Sequence, residues 1–190
     1  MRLLLASKSP RRRQLLSELG WEVVPVEVDV DESIDDTVAA ADVAEVLARR
    51  KAAAWPKEKI FEGDVLVAAD TVVVHAGVVL GKPKNYSEAE SMLKALSGDK
   101  HTVYTGVCLR SQEREVSFSE ATDVYFRNLT DKDVRYYIER YQPFDKAGSY
   151  GIQEWIGLVG VSRIEGCFYN VMGLPTAKLY GILSSKFSSR

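Results

Sequence analysis

A carboxylate and a lysine lie within one apolar segment, residues 65–83, which reads VLVAADTVVVHAGVVLGKP. Asp70 and Thr71 are the only polar residues among its first ten, and such a valine-rich run is typical of a strand buried on both faces. An unpaired buried charge costs on the order of several kcal/mol, so Asp70 requires a cation, a metal ion or a catalytic role. A structural ion pair with a lysine or arginine is the alternative. A turn at Ala76 and Gly77 would bring Lys82 back towards Asp70.

A basic segment, residues 7–13 (SKSPRRR), follows the first predicted strand. Ser9 is a favourable N-cap and Pro10 a favourable first residue for the helix that follows. Free backbone N–H groups, the helix dipole and the guanidinium groups of Arg11 and Arg12 together favour phosphate. The alternative is a solvated basic first turn, but cations there oppose the dipole by about 0.3–1 kcal/mol each. The segment therefore predicts an anion site, without the glycines of a Walker loop.

Acidic and basic residues also lie at the ends of two further predicted elements. Asp31 and Glu32 follow a strand predicted over residues 21–30, where capping the next helix is the alternative role. Lys51 borders the apolar stripe of a helix predicted over residues 37–54, and a lysine there usually extends its amine into solvent.

A polar loop over residues 145–153 (DKAGSYGIQ) combines charge, two glycines and the amide of Gln153. Two glycines indicate close backbone approach or positive φ, whereas an ordinary surface loop is the alternative. The remaining pattern predicts helices over residues 87–96, 130–141 and 176–183, the first of which is capped by Ser87 and Glu90. It predicts strands over residues 101–110, 115–126, 158–164 and 167–172. Residues 184–190 are predicted to be a frayed segment.

The composition excludes several classes of protein. A net charge of −2 over 190 residues gives no global field that attracts nucleic acid or a membrane. The two cysteines imply no disulfide framework, and His75 and His101 are too few and too far apart for a histidine metal site. With neither a signal peptide nor an 18-residue apolar span, the chain is expected to be cytoplasmic.

Three stretches, LLLASKSPRRRQLL, VAADTVVV…GKP and FDKAGSYGIQ…GLP, resemble the Maf-like family of nucleoside triphosphate pyrophosphatases, in the same order over nearly the whole chain. The resemblance implies an α/β, two-lobed Maf/ITPase-like fold, with a long twisted mixed sheet flanked by helices and a central cleft. It implies a single domain over residues 1–190.

The resemblance also implies hydrolysis of a nucleoside triphosphate between the α- and β-phosphates, with a divalent cation, Mg²⁺ or Mn²⁺. The S-P-R-R, A-D-T and G-I-Q residues look like the branch that acts on dTTP and UTP. By that likeness the site residues are catalytic Asp70, specificity residues Arg12, Thr71 and Gln153, phosphate-binding Ser7, Arg11, Lys51 and Lys82, and metal ligands Asp70 and Glu32, with Asp31 as the alternative to Glu32.

The chemistry of these residues fits the resemblance. A triphosphate carries about four negative charges, which local cations and a metal must offset. The Gln153 amide is both donor and acceptor, as a pyrimidine edge requires. Strand alternation sends Thr71 to the face opposite Asp70, so if both reach the ligand the strand must end or bulge there.

Two other functions are open alternatives: a nucleotide-binding regulator of septum formation without turnover, and a 7-methyl-GTP pyrophosphatase. The expected partner is the nucleoside triphosphate substrate, with a homodimer as a candidate assembly and neither nucleic acid nor membrane as a partner.

Overall fold

The computed structural model describes residues 1–35 and 37–187. Its strands are β1 (Arg2–Ala6), β2 (Glu22–Pro25), β3 (Asp64–His75), β4 (Val78–Leu80), β5 (Lys100–Arg110), β6 (Glu115–Phe126) and β7 (Val161–Glu165). Its α-helices are α1 (Pro10–Glu18), α2 (Val43–Ala54), α3 (Tyr86–Leu96), α4 (Asp131–Tyr141), α5 (Trp155–Gly160), α6 (Phe168–Met172) and α7 (Thr176–Lys186). Short 3₁₀ helices cover Lys57–Lys59, Pro143–Asp145 and Ala147–Ser149.

The strands form one mixed sheet in the order β2-β1-β3-β5-β6-β7, with β4 paired to β3 outside this path. β1 runs parallel to both β2 and β3, whereas the β3–β4 and β6–β7 pairs are antiparallel. Helices separate the parallel strands, as a parallel connection requires. The predicted α/β class with a mixed sheet is therefore confirmed. Within the described residues, every helix is too short or too polar to cross a bilayer.

The chain divides into two compact units. Unit 1 comprises the described residues of Met1–Asp70 and Thr105–Glu120 and those from Gly173 onwards. One of its core clusters packs β1 and the first half of β3 against α2, through Leu4, Leu66 and Ala48. The first half of β3 is buried along its whole length, which explains its unbroken apolar sequence.

Unit 2 comprises Thr71–Tyr104 and Ala121–Met172. Its core is built around α3, α4 and the strands beside them, with Leu93, Tyr137 and Ile138 fully buried. Thr130 and Asp133 form a reciprocal capping box at the start of α4 and fix where this helix begins. The β3–β4 hairpin turns at Ala76 and Gly77, both with positive φ, as the sequence predicts.

Several predicted boundaries were wrong near the N-terminal half of the chain. The strand predicted over residues 21–30 ends at Pro25, on the edge of the sheet, after which the Val26 N–H makes one further hydrogen bond to the Leu5 carbonyl at 2.9 Å. The helix predicted from residue 37 begins at Val43, since turns occupy the residues before it. α3 is capped by Asn85, whose side chain accepts from the Glu88 N–H at 2.9 Å, and not by Ser87 and Glu90.

The C-terminal third also differs from the prediction. The strand expected over residues 158–164 is confirmed from Val161 onwards as β7, but residues 158–160 belong to α5. The strand expected over residues 167–172 is wrong, since α6 occupies Phe168–Met172, and a short apolar run does not by itself distinguish a buried strand from a buried helix. The last helix continues to Lys186, so residues 184–186 are helical and not frayed. Residues 188–190 of that predicted segment lie outside the described residues.

Candidate active site

The N-terminus of α1 is capped as the sequence predicts, and Arg12 is held in a defined place beside it. The Ser9 hydroxyl accepts from the Arg12 backbone N–H at 3.5 Å, and Pro10 is the first helical residue. The Arg12 side chain donates from Nη1 to Ser7 Oγ at 3.1 Å and from Nε to the Gly173 carbonyl at 2.8 Å. The backbone N–H, Nε and Nη1 of Arg12 thus all donate hydrogen bonds, and the two side-chain bonds fix the orientation of its guanidinium group in unit 1.

Charged side chains surround the Arg12 guanidinium. Burial lowers the pKa of Arg12, and so does Arg11, whereas Asp70 and Glu32 raise it. An arginine remains protonated under such shifts, so a fixed positive charge lies within electrostatic range of two carboxylates. This places Arg11, Arg12, Glu32 and Asp70 in one electrostatic neighbourhood of unit 1.

Lys51 lies between the two carboxylates. Its Nζ is 2.5 Å from Asp70 Oδ1 and 2.7 Å from Glu32 Oε1. The Lys51 and Asp70 side chains are only 13% and 15% exposed, whereas Glu32 is 51% exposed. The alternative that Lys51 extends its amine into solvent does not hold, because two carboxylates bind that amine. The alternative of an ion pair for Asp70 is confirmed as a contact, made through Oδ1.

Close packing of α2 on β5 places Lys51. A Cβ atom on Gly106 would lie 2.2 Å from the Glu45 nitrogen and 2.3 Å from the Ala44 carbonyl oxygen, so the helix backbone rests directly on this strand residue. Val43 and Leu47 bury the same helix on its apolar side. A side chain at position 106 would push the start of α2 away from the sheet.

The structure distinguishes between the two adjacent acidic residues. The Asp31 carboxylate binds its own turn, accepting from the Ser33 N–H at 2.8 Å and the Ser33 hydroxyl at 2.6 Å. These hydrogen bonds lower the pKa of Asp31. Glu32 instead reaches Lys51. Glu32 is thus the acidic residue that joins Asp70.

The pair of carboxylates is compatible with Mg²⁺ or Mn²⁺. Asp70 and Glu32 already share one cation, the Lys51 amine, so their oxygens lie close enough to approach a common positive charge. The described residues contain no group of three or more His, Cys, Asp or Glu side chains that would hold a metal alone. Mg²⁺ commonly uses one or two carboxylates, with substrate phosphates and water completing its shell. The donor set fits that kind of site.

Thr71 follows Asp70 in a strand that does not end there. β3 runs without interruption from Asp64 to His75, and both residues are partly buried. Alternation along a strand therefore places the two side chains on opposite faces. Thr71 could reach the same ligand as Asp70 only if the strand ended or bulged there, and the strand does not end there. The specificity role expected of Thr71 stays a prediction.

Lys82 and Gln153 belong to unit 2, where one glycine connects the segments that carry them. The Gly148 N–H donates to the Gly81 carbonyl at 3.0 Å, which joins the loop before Gln153 to the residue before Lys82. Gly148 has a φ of 66°, and a Cβ there would lie 2.9–3.0 Å from the Val73 side chain. The glycine predicted to allow close approach does so.

Sequence reasoning missed the residues that orient these groups. The Gly173 carbonyl, which accepts from Arg12, lies in the GLP segment, but a backbone acceptor leaves no sign in a sequence. Tyr137 and Glu154, which hold the loop around Gln153, are 17 residues apart and belong to no recognisable motif.

Comparisons with known proteins show the family of this chain. The sequence model of the Maf-like protein family matches residues 2–186. The chain belongs to this family. A Bacteroides thetaiotaomicron relative is 50% identical over 95% of this chain and 94% of its own length, and a Flavobacterium johnsoniae relative is 42% identical over 97% and 94%. A Parabacteroides distasonis relative is 48% identical over 94% and 93%, and all three are named dTTP/UTP pyrophosphatase. The family and the mixed α/β sheet expected from the sequence are thus confirmed.

Proposed function

We propose that this Maf-like protein hydrolyses dTTP and UTP to the nucleoside monophosphate and pyrophosphate. The observation that carries the proposal is the constellation of Asp70, Glu32, Lys51 and Arg12 in unit 1. It combines fixed cations with a carboxylate in a strand that is otherwise apolar, which suits an anionic substrate and a proton transfer. Relatives that match over nearly their whole length are named for the same substrates.

The cations in unit 1 offset the phosphate charge. Arg12 presents a planar guanidinium oriented by Ser7 and the Gly173 carbonyl, while Arg11 and Lys51 add further positive charge. Breaking a phosphoanhydride bond depends mainly on such positioning and charge neutralisation. These groups therefore act on the triphosphate, and Arg12 is in addition a specificity residue by its resemblance to the family.

Asp70 acts on the attacking water. A water molecule attacks phosphorus, its proton passes to the Asp70 carboxylate, and pyrophosphate leaves with the bond electrons. Lys51 binds Asp70 Oδ1 and fixes the orientation of the carboxylate. Asp70 and Glu32 would also hold Mg²⁺ or Mn²⁺, which when bound supplies positive charge to the phosphates.

Residues of unit 2 provide the remaining recognition. Lys82 is exposed and adds a cation for the phosphates, and Gln153 is exposed and offers its amide to the pyrimidine edge. Thr71 completes the specificity residues with Arg12 and Gln153. The assignments of Thr71, Lys82 and Gln153 rest on the resemblance of the A-D-T, G-K-P and G-I-Q segments, respectively, to the family.

A substrate panel with detection of released pyrophosphate tests the proposal. The purified protein with Mg²⁺ or Mn²⁺ is supplied with dTTP, UTP, CTP, GTP and 7-methyl-GTP. We expect the highest kcat/KM for dTTP and UTP. Tight nucleotide binding without pyrophosphate release would instead support a regulator, and a preference for 7-methyl-GTP would assign the other branch.

The wider setting of this activity is part of the proposal. Removal of surplus or modified pyrimidine nucleotides in the cytoplasm suits an enzyme that destroys triphosphates. A single domain over residues 1–190 and a homodimer stay predictions, which gel filtration with light scattering and limited proteolysis would test.

A further inference from the structure

The hydroxyl of Tyr137 has two partners on one short loop of unit 2. Tyr137 lies in α4 and is fully buried. Its oxygen accepts from the Gly151 N–H at 2.9 Å and donates to Glu154 Oε2. Burial raises the pKa of the Tyr137 phenol, so the group stays protonated and keeps its donor. The two partners flank Gln153, two residues before it and one residue after it.

The backbone around Gln153 is closed and anchored on both sides. The Glu154 N–H donates to the Gly151 carbonyl at 3.0 Å and so completes a tight turn. Ile152 and Ile156 are 4% and 0% exposed, whereas Gln153 is exposed at the tip of this turn. The direction of the Gln153 side chain therefore depends on where Gly151 and Glu154 are held.

Side chains pack closely over Gly151. A Cβ atom there would lie 2.9 Å from Gln153 Nε2, 3.0 Å from Glu154 Cδ and 3.1 Å from Lys146 Cε, so the Gln153 amide lies directly above this glycine. Lys146 Nζ is 3.2 Å from Glu154 Oε1. Glu154 is thus held from one side by Tyr137 and from the other by a lysine that is 9% exposed.

We infer that Tyr137, acting with Glu154, is a positioning residue that sets the orientation of Gln153 and through it the selectivity for dTTP and UTP. The inference rests on the proposed function, in which Gln153 binds the base. Tyr137 itself is buried and belongs to no phosphate-binding segment, so its effect passes through the loop. Loss of its hydroxyl leaves the Gly151 N–H without its partner and leaves Lys146 as the remaining partner of the Glu154 carboxylate described above.

The test compares Tyr137→Phe with a matched control. Tyr141→Phe removes a hydroxyl from the same helix and from the ring that stacks on Tyr137 at a centroid distance of 5.2 Å. We expect Tyr137→Phe to lower the ratio of kcat/KM for dTTP over CTP by about tenfold, mainly through KM for dTTP, while kcat for CTP is retained. Tyr141→Phe should leave the ratio unchanged. In a Gln153→Ala background, Tyr137→Phe should have no further effect on selectivity.

The outcomes separate this inference from the proposed function. If Gln153→Ala flattens the selectivity but Tyr137→Phe does not, the positioning role is refuted and the base contact remains. If Gln153→Ala leaves the selectivity unchanged, the base contact itself is refuted. An equal loss for dTTP and CTP in Tyr137→Phe would assign Tyr137 to stability alone. Should that variant not fold, Glu154→Ala decides: retained selectivity overturns the inference, and a similar loss supports it.

Discussion

Replacing Asp70 with asparagine removes a charge from β3 while the shape of the side chain stays the same. The carboxylate loses its proton-accepting ability and its ion pair with Lys51, whose Nζ lies 2.5 Å from Oδ1. A general base contributes typically about 10²–10⁴ in rate, so we expect kcat with dTTP to fall by about 100- to 10,000-fold. KM should change much less, because the cations of Arg12 and Lys51 remain.

The stability cost of Asp70→Asn is smaller and follows from burial. Exposed ion pairs contribute about 0.2–1 kcal/mol and a broken buried pair costs about 3–5 kcal/mol. Asp70 and Lys51 are 15% and 13% exposed, but Lys51 keeps Glu32 at 2.7 Å as a partner. We therefore expect a loss of about 1–2 kcal/mol, which lowers Tm by a few degrees in a chain of this size.

The same strand provides a matched control. Asp64, the first residue of β3, is 4% exposed in its side chain and binds Arg2 through both oxygens, at 2.9 and 2.8 Å. Asp64→Asn should lower Tm at least as much as Asp70→Asn and leave kcat unchanged. Pyrophosphate release and thermal unfolding are measured on the unmodified protein, Asp70→Asn and Asp64→Asn. If Asp70→Asn keeps most of its activity, or if activity in both variants simply follows the folded fraction, Asp70 is structural and the catalytic assignment fails.

Arg12→Ala and Lys82→Ala should each lower kcat/KM for dTTP by about tenfold or more in steady-state kinetics, since both cations are assigned to developing phosphate charge; unchanged values in both variants would place the phosphates elsewhere. Gln153→Ala should cost about 1–3 kcal/mol with dTTP and UTP and much less with CTP and GTP, and a uniform loss over the four nucleotides would contradict the base contact. His101 is 1% exposed and its ring accepts from or donates to Tyr150 OH at 2.7 Å, and burial lowers the pKa of His101 to about 4. Because the unfolded chain binds the proton more readily, the free energy of unfolding should fall as pH decreases from about 6.5 to about 4, by about 3 kcal/mol, and urea titrations of His101→Phe should lack this part of the pH dependence.

Local sequence was sufficient at some caps and turns that a few neighbouring residues determine, although the cap of α3 lies at Asn85 and not at the predicted Ser87. The cap of α1 at Ser9 and Pro10 and the turn after His75 were both predicted, because each depends on contacts within about four residues. The buried first half of β3 was recognised from its unbroken run of apolar residues. The helices α5 and α6 were missed, since such short apolar runs carry no period long enough to distinguish helix from strand.

The sequence by itself therefore determined the family, the α/β class and the types of residue available for phosphate chemistry, because these are carried by motifs and by local patterns. Tertiary structure alone decided how those residues meet. It selected Glu32 over Asp31, placed the Lys51 amine between two carboxylates and bound Arg12 to the carbonyl of Gly173, 161 residues away. The physical reason is that such contacts depend on how helices and strands distant in sequence pack against one another, and α2 can carry Lys51 to Asp70 only because Gly106 lets the helix backbone rest on β5.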